Sequence, residues 1–542
     1  MTTTLYRNGN VYSPADPFAT ALLVDGDTVG WVGSDEAAAA HAESADAVVD
    51  LDRALVTPAF VDAHAHVTET GLALTGVDLA SARSLAEVLS RVEDAARRSA
   101  GRPVLGHGWD ERGWPEGRPP TMAELDRASY GGSVYLSRVD VHSAVVSSAL
   151  ASAVGLRERE GWHGDGRVDR DAHAAARDAT RASLTAAHRT DLQRTALTAA
   201  ARAGIGVLHE MSAPHIGTPD DLRALVALVD DEPLPDVVPY RGQLVATADE
   251  ARDLVASLRL PAARGLRGLA GDLCVDGSIG SRTAALRDPY ADAPETSGFL
   301  YLTAEQVRDH VVACTQEGLQ AGFHVIGDAG ADAVVSGLRL AEEVVGASAL
   351  RRARHRLEHV EMLDAAALGT LVDLGVHASV QPVFDAWWGG ADGLYAERLG
   401  RLRARAMNRF ADLASAGVPL ALGSDSPVTP FAPWEALRAC AFHHEPEQRI
   451  SVRAAFLAHT RGAWRTAGRD DGGVLAPGAP ATLAVWSPSD LVVQAPDERV
   501  QAWSTDPRSG TPGLPDLAPG VAAPHCLRTV VGGRVVHDEL VG

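Results

Sequence analysis

From about residue 204 to residue 425 the chain repeats one pattern, a short apolar run ending in polar residues and then a helix-like segment. Gly206-Val207-Leu208-His209-Glu210 precedes a helix-like stretch over 219–230, and Gln243-Leu244-Val245 and Gly271-Asp272-Leu273-Cys274-Val275-Asp276-Gly277 follow. Ala321-Gly322-Phe323-His324-Val325-Ile326-Gly327-Asp328 comes after a helix over 304–318, and Arg356-Leu357-Glu358-His359 after one over 331–345. His377-Ala378-Ser379-Val380-Gln381-Pro382 and Pro419-Leu420-Ala421-Leu422-Gly423-Ser424-Asp425 close the series. Strands joined through helices run parallel, because only antiparallel neighbours can be joined by a tight turn. Their number suits a (β/α)₈ barrel. The rival, a doubly wound open sheet, carries a Gly-rich phosphate turn near its first strand, and none is visible here.

The first strand of the set is Thr57-Pro58-Ala59-Phe60-Val61-Asp62-Ala63-His64-Ala65-His66. Side chains two apart on a strand share a side, so His64 and His66 leave its end together as two nitrogen ligands for one metal. Alone, the pair reads equally as polar residues at a strand end. At a barrel mouth, however, strand C-termini converge. The residues placed there are His64, His66, Asp272, His324, His359 and Asp425. Such a donor set suits a divalent ion such as Zn²⁺, which turns water into hydroxide near neutral pH and polarises a carbonyl. Asp425 is suited to accept the water's proton and pass it to a leaving nitrogen. The expected reaction is hydrolysis at a carbon bearing nitrogen.

The flanks read differently. Leu5-Tyr6-Arg7-Asn8-Gly9-Asn10-Val11-Tyr12 and Ala21-Leu22-Leu23-Val24, the latter running into Asp25-Gly26-Asp27, are strand-like with a hairpin signal. So are Ala481-Thr482-Leu483-Ala484-Val485-Trp486 and Thr529-Val530-Val531-Gly532-Gly533-Arg534-Val535-Val536 near the other end. The expected organisation is one small β-sandwich built from 1–57 and 466–542 around a barrel over 58–465. An α/β insertion over about 68–200 follows the first barrel strand, with helices expected at 84–99 and 173–203. Within it, Arg138, Asp140 and His142 alternate onto one strand face, as either an exposed salt-bridged strand or a substrate-facing set. The Pro-, Gly-, Asp- and Ser-rich stretch from Trp486 to Cys526 reads as a surface excursion.

Composition narrows the classes. A formal net charge of −22 argues against nucleic-acid and anionic-membrane binding and leaves a small molecule as the partner. The four cysteines are scattered, as reduced thiols of a cytoplasmic protein would be, and no signal-like or membrane-spanning run is evident. All 49 basic side chains are arginine, with no lysine anywhere. Schiff-base chemistry and a carboxylated-lysine metal bridge are therefore both excluded.

Taken together, these motifs resemble the amidohydrolase superfamily, in particular the amidohydrolase family 3 branch that includes N-substituted formamide deformylases. The blocks that carry the resemblance are 58–66, Gly108-Trp109-Asp110, 138–142, Asp276-Gly277-Ser278-Ile279-Gly280-Ser281-Arg282-Thr283-Ala284, 324–328, Glu358-His359 and Gly423-Ser424-Asp425-Ser426-Pro427. The resemblance implies a metal-dependent hydrolase acting on non-peptide C–N bonds, a linear amide or formamide above all. Its metal would be held by His64, His66, His324, His359 and Asp425, with Asp425 and His359 in catalytic positions. Trp109, His142, Asp276 and Arg282 would face the substrate, and a homodimer is the family expectation. Many relatives carry a lysine where this chain has Asp272. Either the backbone or the metals shift to let the shorter aspartate coordinate, or the centre holds one metal with Asp272 near it, the arrangement the sequence favours; Cys274, two residues on, is a weaker candidate. Deamination of a heterocycle, for which Glu358 leaves room, and a non-catalytic scaffold are the competing functions.

Overall fold

Eight parallel strands form the central sheet of the computed structural model, which describes residues 2–99, 101–182, 184–494, 503–504 and 512–540. In chain order they are β1 (Phe60–Ala65), β2 (Ile205–Ser212), β3 (Asp236–Arg241), β4 (Gly268–Leu269), β5 (Gln320–Val325), β6 (Arg356–His359), β7 (His377–Val380) and β8 (Leu420–Leu422). Each pairs in parallel with its neighbours in sequence. The seam between β1 and β8 is drawn together by main-chain bonds, Asp425 N to His64 O at 2.8 Å and His66 N to Ser426 O at 2.9 Å. The result is a TIM-like (β/α)₈ barrel. Strands buried on both faces tend to read as apolar runs, which made β1 and β5 legible; β6 (Arg356-Leu357-Glu358-His359) and β7 (His377-Ala378-Ser379-Val380) are as deeply buried but polar, and were legible from their place in the repeat.

Two strands lie elsewhere than the sequence suggested. The third is Asp236–Arg241 and not Gln243-Leu244-Val245. Pro239 sits inside it, and a proline normally argues against a central strand; here its carbonyl still accepts from Arg267 N at 2.9 Å. The fourth is only Gly268–Leu269, ahead of the expected 271–277 run. The chain then leaves the sheet at Gly271, whose φ of +92° suits glycine.

The ends of the chain share a sheet. Leu55–Pro58 pairs antiparallel with Leu483–Trp486, which pairs with Cys526–Val531, in a five-stranded sheet completed by Asn10–Val11 and Arg534–Asp538. Thr28–Gly33, Ala21–Asp25, Thr3–Arg7 and Ala47–Asp50 form a second, four-stranded sheet. Trp486 plugs the first sheet onto the barrel, its ring 5.7 Å from Phe60 and 5.1 Å from Trp434, with its indole N–H bonded to Thr57 Oγ1 at 2.9 Å. Part of the 486–526 excursion lies outside the described residues. Its described part is less superficial than expected, since Leu514 and Leu517 are buried in the core.

After β1 the chain makes helix α1 (Val67–Thr75), and then Val77–Asp78, Val104–Trp109, Val134–Arg138, Ser143–Val146 and Arg167–Asp169 build a sheet of their own. The helical stretch expected at 173–203 is two helices, α2 (Arg170–Ala182) and α3 (Ala186–Arg202). α3 returns to the barrel layer against α1, so closely that a Cβ on Gly71 would stand 2.2 Å from Leu192 O. Among the described residues, no helix is long and apolar enough to cross a membrane.

Candidate metal centre

All six expected ligands meet at the barrel mouth. His64 Nε2 lies 3.3 Å from Asp272 Oδ1 and 3.5 Å from Asp425 Oδ1; His66 Nε2 lies 3.2 Å from Asp272 Oδ2 and 3.2 Å from Asp425 Oδ1. His324 Nδ1 is 3.7 Å from Asp272 Oδ1, and the His359 ring stands 4.4 Å from that of His324 and 5.0 Å from that of His64. Two overlapping triads have metal-ligand spacing, His64–His66–Asp425 and His64–Asp272–His359. Backbone strain helps to aim them: His359 and Asp425 hold left-handed φ values of +70° and +55°, uncommon for such residues outside functional sites.

The hydrogen bonds on the far side of each ring decide what it presents to the centre. His64 Nδ1 bonds Glu358 Oε2 at 2.9 Å, His66 Nδ1 bonds Met211 O at 3.1 Å, and His359 Nδ1 bonds Gln381 Oε1 at 2.8 Å. His324 uses its other nitrogen, Nε2 to Gly277 O at 3.2 Å. Each partner is an acceptor, so each ring keeps a proton on its far side and points its other nitrogen inward, the orientation of a metal-bound imidazole. His64 Nε2, His359 Nε2 and Asp272 Oδ1 are buried with no hydrogen-bond partner among the described residues. The residues present therefore fit a divalent cation.

Electrostatics agree. Burial opposes a charged imidazole, yet Asp272 and Asp425 outweigh it, pushing His66 up to about 10 and His64 well above its usual value. Burial likewise opposes a charged Asp272, but His64 and His66 hold its carboxyl well below the usual range. The carboxylates thus demand positive charge at this point, as protons or as a metal ion. Asp272 stands within reach of His64 and His66, as the alternative of a shifted backbone would require: past Gly271 the chain presses so close to Gly242 that a Cβ there would lie 2.7 Å from the main-chain carbon of Asp272. Cys274 belongs to neither triad; its Sγ is 4.0 Å from His215 Nε2, and burial pushes its thiol up.

The four residues expected to face substrate divide. His142 lines the cavities at the centre, its ring 5.2 Å from that of His324; burial and the His324 charge push it down to about 4. Asp276 does not face substrate: it is 0 % exposed, and its carboxylate accepts the N–H groups of Ala285, Ile326 and Gly327. Trp109 and Arg282 line a separate cleft, with Trp109 buried and its indole N–H on Leu136 O at 2.8 Å, and Arg282 paired with Asp292 at 2.5 Å. The strand carrying Arg138 ends there; Arg138 and Asp140 form a buried 3.0 Å pair, and Val141 at φ +52° turns His142 away from them.

Residues the sequence did not single out complete the surroundings. Arg356 grips Glu358 side-on through the Nε–Nη2 edge of its guanidinium, at 2.5 and 2.9 Å, so Glu358 is committed to orienting His64. Asp62 Oδ1 accepts from His64 N at 3.2 Å and Ser424 N at 3.0 Å, tying β1 to the loop that carries Asp425. On one side of the centre opens a cavity lined by His66 and Asp272 and by His173 and Arg177 of α2. On the other is a smaller, largely apolar pocket with Ile279, Ile326, Phe384, Trp388 and Tyr395. Only the strand-end position of Gln381 offered a sequence signal; the α2 residues offered none, because in sequence they read as a solvated helix face.

A family model described as "Amidohydrolase family" matches residues 47–537. The chain belongs to this family. Protein LONG AFTER FAR-RED 3 of Arabidopsis thaliana is 27% identical to this amidohydrolase over 512 residues, 89% of this chain and 87% of that protein. N-substituted formamide deformylase of Arthrobacter pascens is 24% identical over 507 residues, 86% of this chain and 90% of the deformylase. Among solved structures, a metal-dependent hydrolase from Pyrococcus horikoshii superposes with a TM-score of 0.71 at 27% identity, covering 89% of this chain and 97% of its own. Family membership and such neighbours make the amidohydrolase a metal-dependent enzyme acting on C–N bonds.

Proposed function

We propose that this amidohydrolase cleaves a linear amide or N-substituted formamide, with zinc at the centre and Asp425 carrying the proton. The observation that carries the reading is the inward turn of four imidazole nitrogens toward the Asp272 and Asp425 carboxylates. A divalent ion held by these side chains would supply a water of pKa ~7 and a Lewis acid for the carbonyl. Asp425 touches both halves of the reaction. Its Oδ1 faces His64 and His66, and the same residue lines the apolar pocket beside His142 and His359. It takes the proton from the attacking water and returns it to the departing nitrogen. His142 is neutral at pH 7 and offers the substrate oxygen a hydrogen bond without a charge. Glu358 is held by Arg356 and His64, so the heterocycle deamination that leaned on it loses its residue. The name of the Arthrobacter relative favours the amide.

The test is metal content by plasma mass spectrometry alongside turnover of a formamide and amide panel. Wild type is expected to hold one or two equivalents of zinc, and His64→Ala/His66→Ala none. Asp425→Asn is expected to keep metal and lose about 10²–10⁴-fold in turnover. Undiminished activity in Asp425→Asn removes the proton shuttle; no metal after purification with zinc removes the hydrolase.

A further inference from the structure

Arg177 on α2 is the unmatched charge of the cavity beside the centre. It lines that cavity together with His66 and Asp272, and a neighbouring hollow as well. Its Nε is buried without a hydrogen-bond partner, and no carboxylate among the described residues forms an ion pair with it. Arg177 is half-buried, and the fully buried arginines among the described residues are all engaged, Arg241 by Ser212 Oγ and Gly217 O and the others by carboxylates. Arg138 meets Asp140 at 3.0 Å, Arg181 meets Glu69 at 2.7 Å, Arg356 meets Glu358 at 2.5 Å and Arg398 meets Asp292 at 2.5 Å. A guanidinium cannot shed its proton, so its charge stays and is strongly disfavoured until an anion meets it.

The surroundings leave that anion to come from outside the chain. Glu69 shares the cavity, but its carboxylate is taken by Arg181. Arg170 is engaged by Asp169 and Glu160. His173 is held well below its usual value and His215 is pushed down to about 3, first by burial and then by the Arg177 charge. Both are therefore neutral hydrogen-bonding neighbours that add no competing charge.

We propose that the substrate is an anion whose single carboxylate, set a few bonds from the scissile C–N bond, is held by Arg177. One unpaired guanidinium matches one carboxylate, and its planar fork fits that group in two parallel hydrogen bonds. A phosphate dianion would need a second free cation, and the neighbouring arginines are already paired. The apolar pocket across the centre, with Phe384 and Trp388, takes the opposite end of the molecule. The inference rests on the hydrolase reading for the reacting bond; the anion subsite itself does not need turnover to be seen.

The probes are 3-phenylpropanoate and its neutral isostere 3-phenylpropanamide, compared calorimetrically in chelator-stripped protein, where the amide does not turn over, with the acid alone also titrated into zinc-loaded protein. Wild type, Arg177→Lys and Arg177→Met are compared, with metal content measured in each. Stripped wild type is expected to bind the acid at least ten-fold more tightly than the amide, and zinc-loaded wild type to bind the acid in an Arg177-dependent way. Arg177→Met is expected to lose that preference and keep its affinity for the amide, with Arg177→Lys between the two. The melting temperature of Arg177→Met should equal or exceed that of wild type, because an unpaired, half-buried charge is gone. Equal binding of acid and amide, no binding of either, a preference that ignores Arg177, or a lowered melting temperature overturns the proposal. Protein that takes up no metal yet keeps arginine-dependent acid binding removes the hydrolase and leaves the subsite. Loaded, active protein indifferent to Arg177 removes the subsite and leaves the hydrolase.

Discussion

His355 shows how a buried histidine differs from a metal ligand. Its Nδ1 accepts from Ala321 N at 2.9 Å, and its Nε2 meets Thr315 Oγ1 at 2.9 Å, whose own proton goes to Val311 O. Both nitrogens are used, and neither has room for a second proton. Burial, aided by His310 and Arg267, pushes the ring down to about 3. An unfolded histidine titrates near ~6.5, so below that pH the unfolded chain takes a proton the folded one refuses. Stability therefore falls as pH falls, by about 2 kcal/mol from this group at pH 5. His355→Gln removes the effect: the variant should be less stable than wild type at pH 7, with the gap narrowing by ~2 kcal/mol at pH 5. Urea unfolding at both values measures it, and a gap independent of pH would mean that the folded ring is not held neutral. His64 is the opposite case, with one nitrogen fixed by Glu358 and the other left bare toward the centre.

Among elements, the short β4 and the turn after it control the centre most tightly. Asp272 reaches His64 and His66 only because the chain bends inward at Gly271 and lies on Gly242. In Gly242→Ala the new methyl would meet main-chain atoms of Asp272 and Leu273 at 2.7 Å, and backbone cannot rotate away as a side chain can. Metal affinity or turnover should fall about 10–100-fold, as for loss of a group that positions a ligand, while the fold persists. Zinc titration followed with a competing chelator, with far-ultraviolet circular dichroism as control, measures this; wild-type affinity and rate would show that Asp272 needs no such closeness. The same turn marks where the sequence stopped being informative. The identity of Asp272 and its place after an apolar run were legible, and so were the positions of the five other candidate ligands, because each lies at the end of a strand of the repeat. Its reach was not, since that depends on two glycines separated in sequence and adjacent in space. β3 was hidden by Pro239, and Asp276 looked like a site residue until three backbone N–H groups were found on its carboxylate. Arg177 was invisible because nothing in a helix sequence tells which arginine will lack a partner.

The whole molecule is held as one body by the sheet its two ends share. Trp486, 1 % exposed, packs its ring on Phe60 of β1 and on Trp434, and so joins the terminal sheet to the barrel. Trp486→Ala should destabilise the protein by about 3–5 kcal/mol, the range for deleting a large buried ring. Thermal melts followed by circular dichroism at several wavelengths should keep one shared transition at lower temperature; two separated transitions would mean that the sheet and the barrel unfold independently.

The seam of the barrel also sets an order of events. His66 and Asp425 stand 359 residues apart in the chain and share a 3.2 Å contact, and the main-chain bonds that close β1 onto β8 are made at these same positions. A ribosome therefore releases the first two ligands long before the residue that completes them. Until then the nascent polypeptide is an unclosed cylinder whose edge strands are open to pairing with other chains. A chain cut short before Asp425 is expected to lack both the closed barrel and the complete centre, because the bonds that close the one stand at the residues that complete the other.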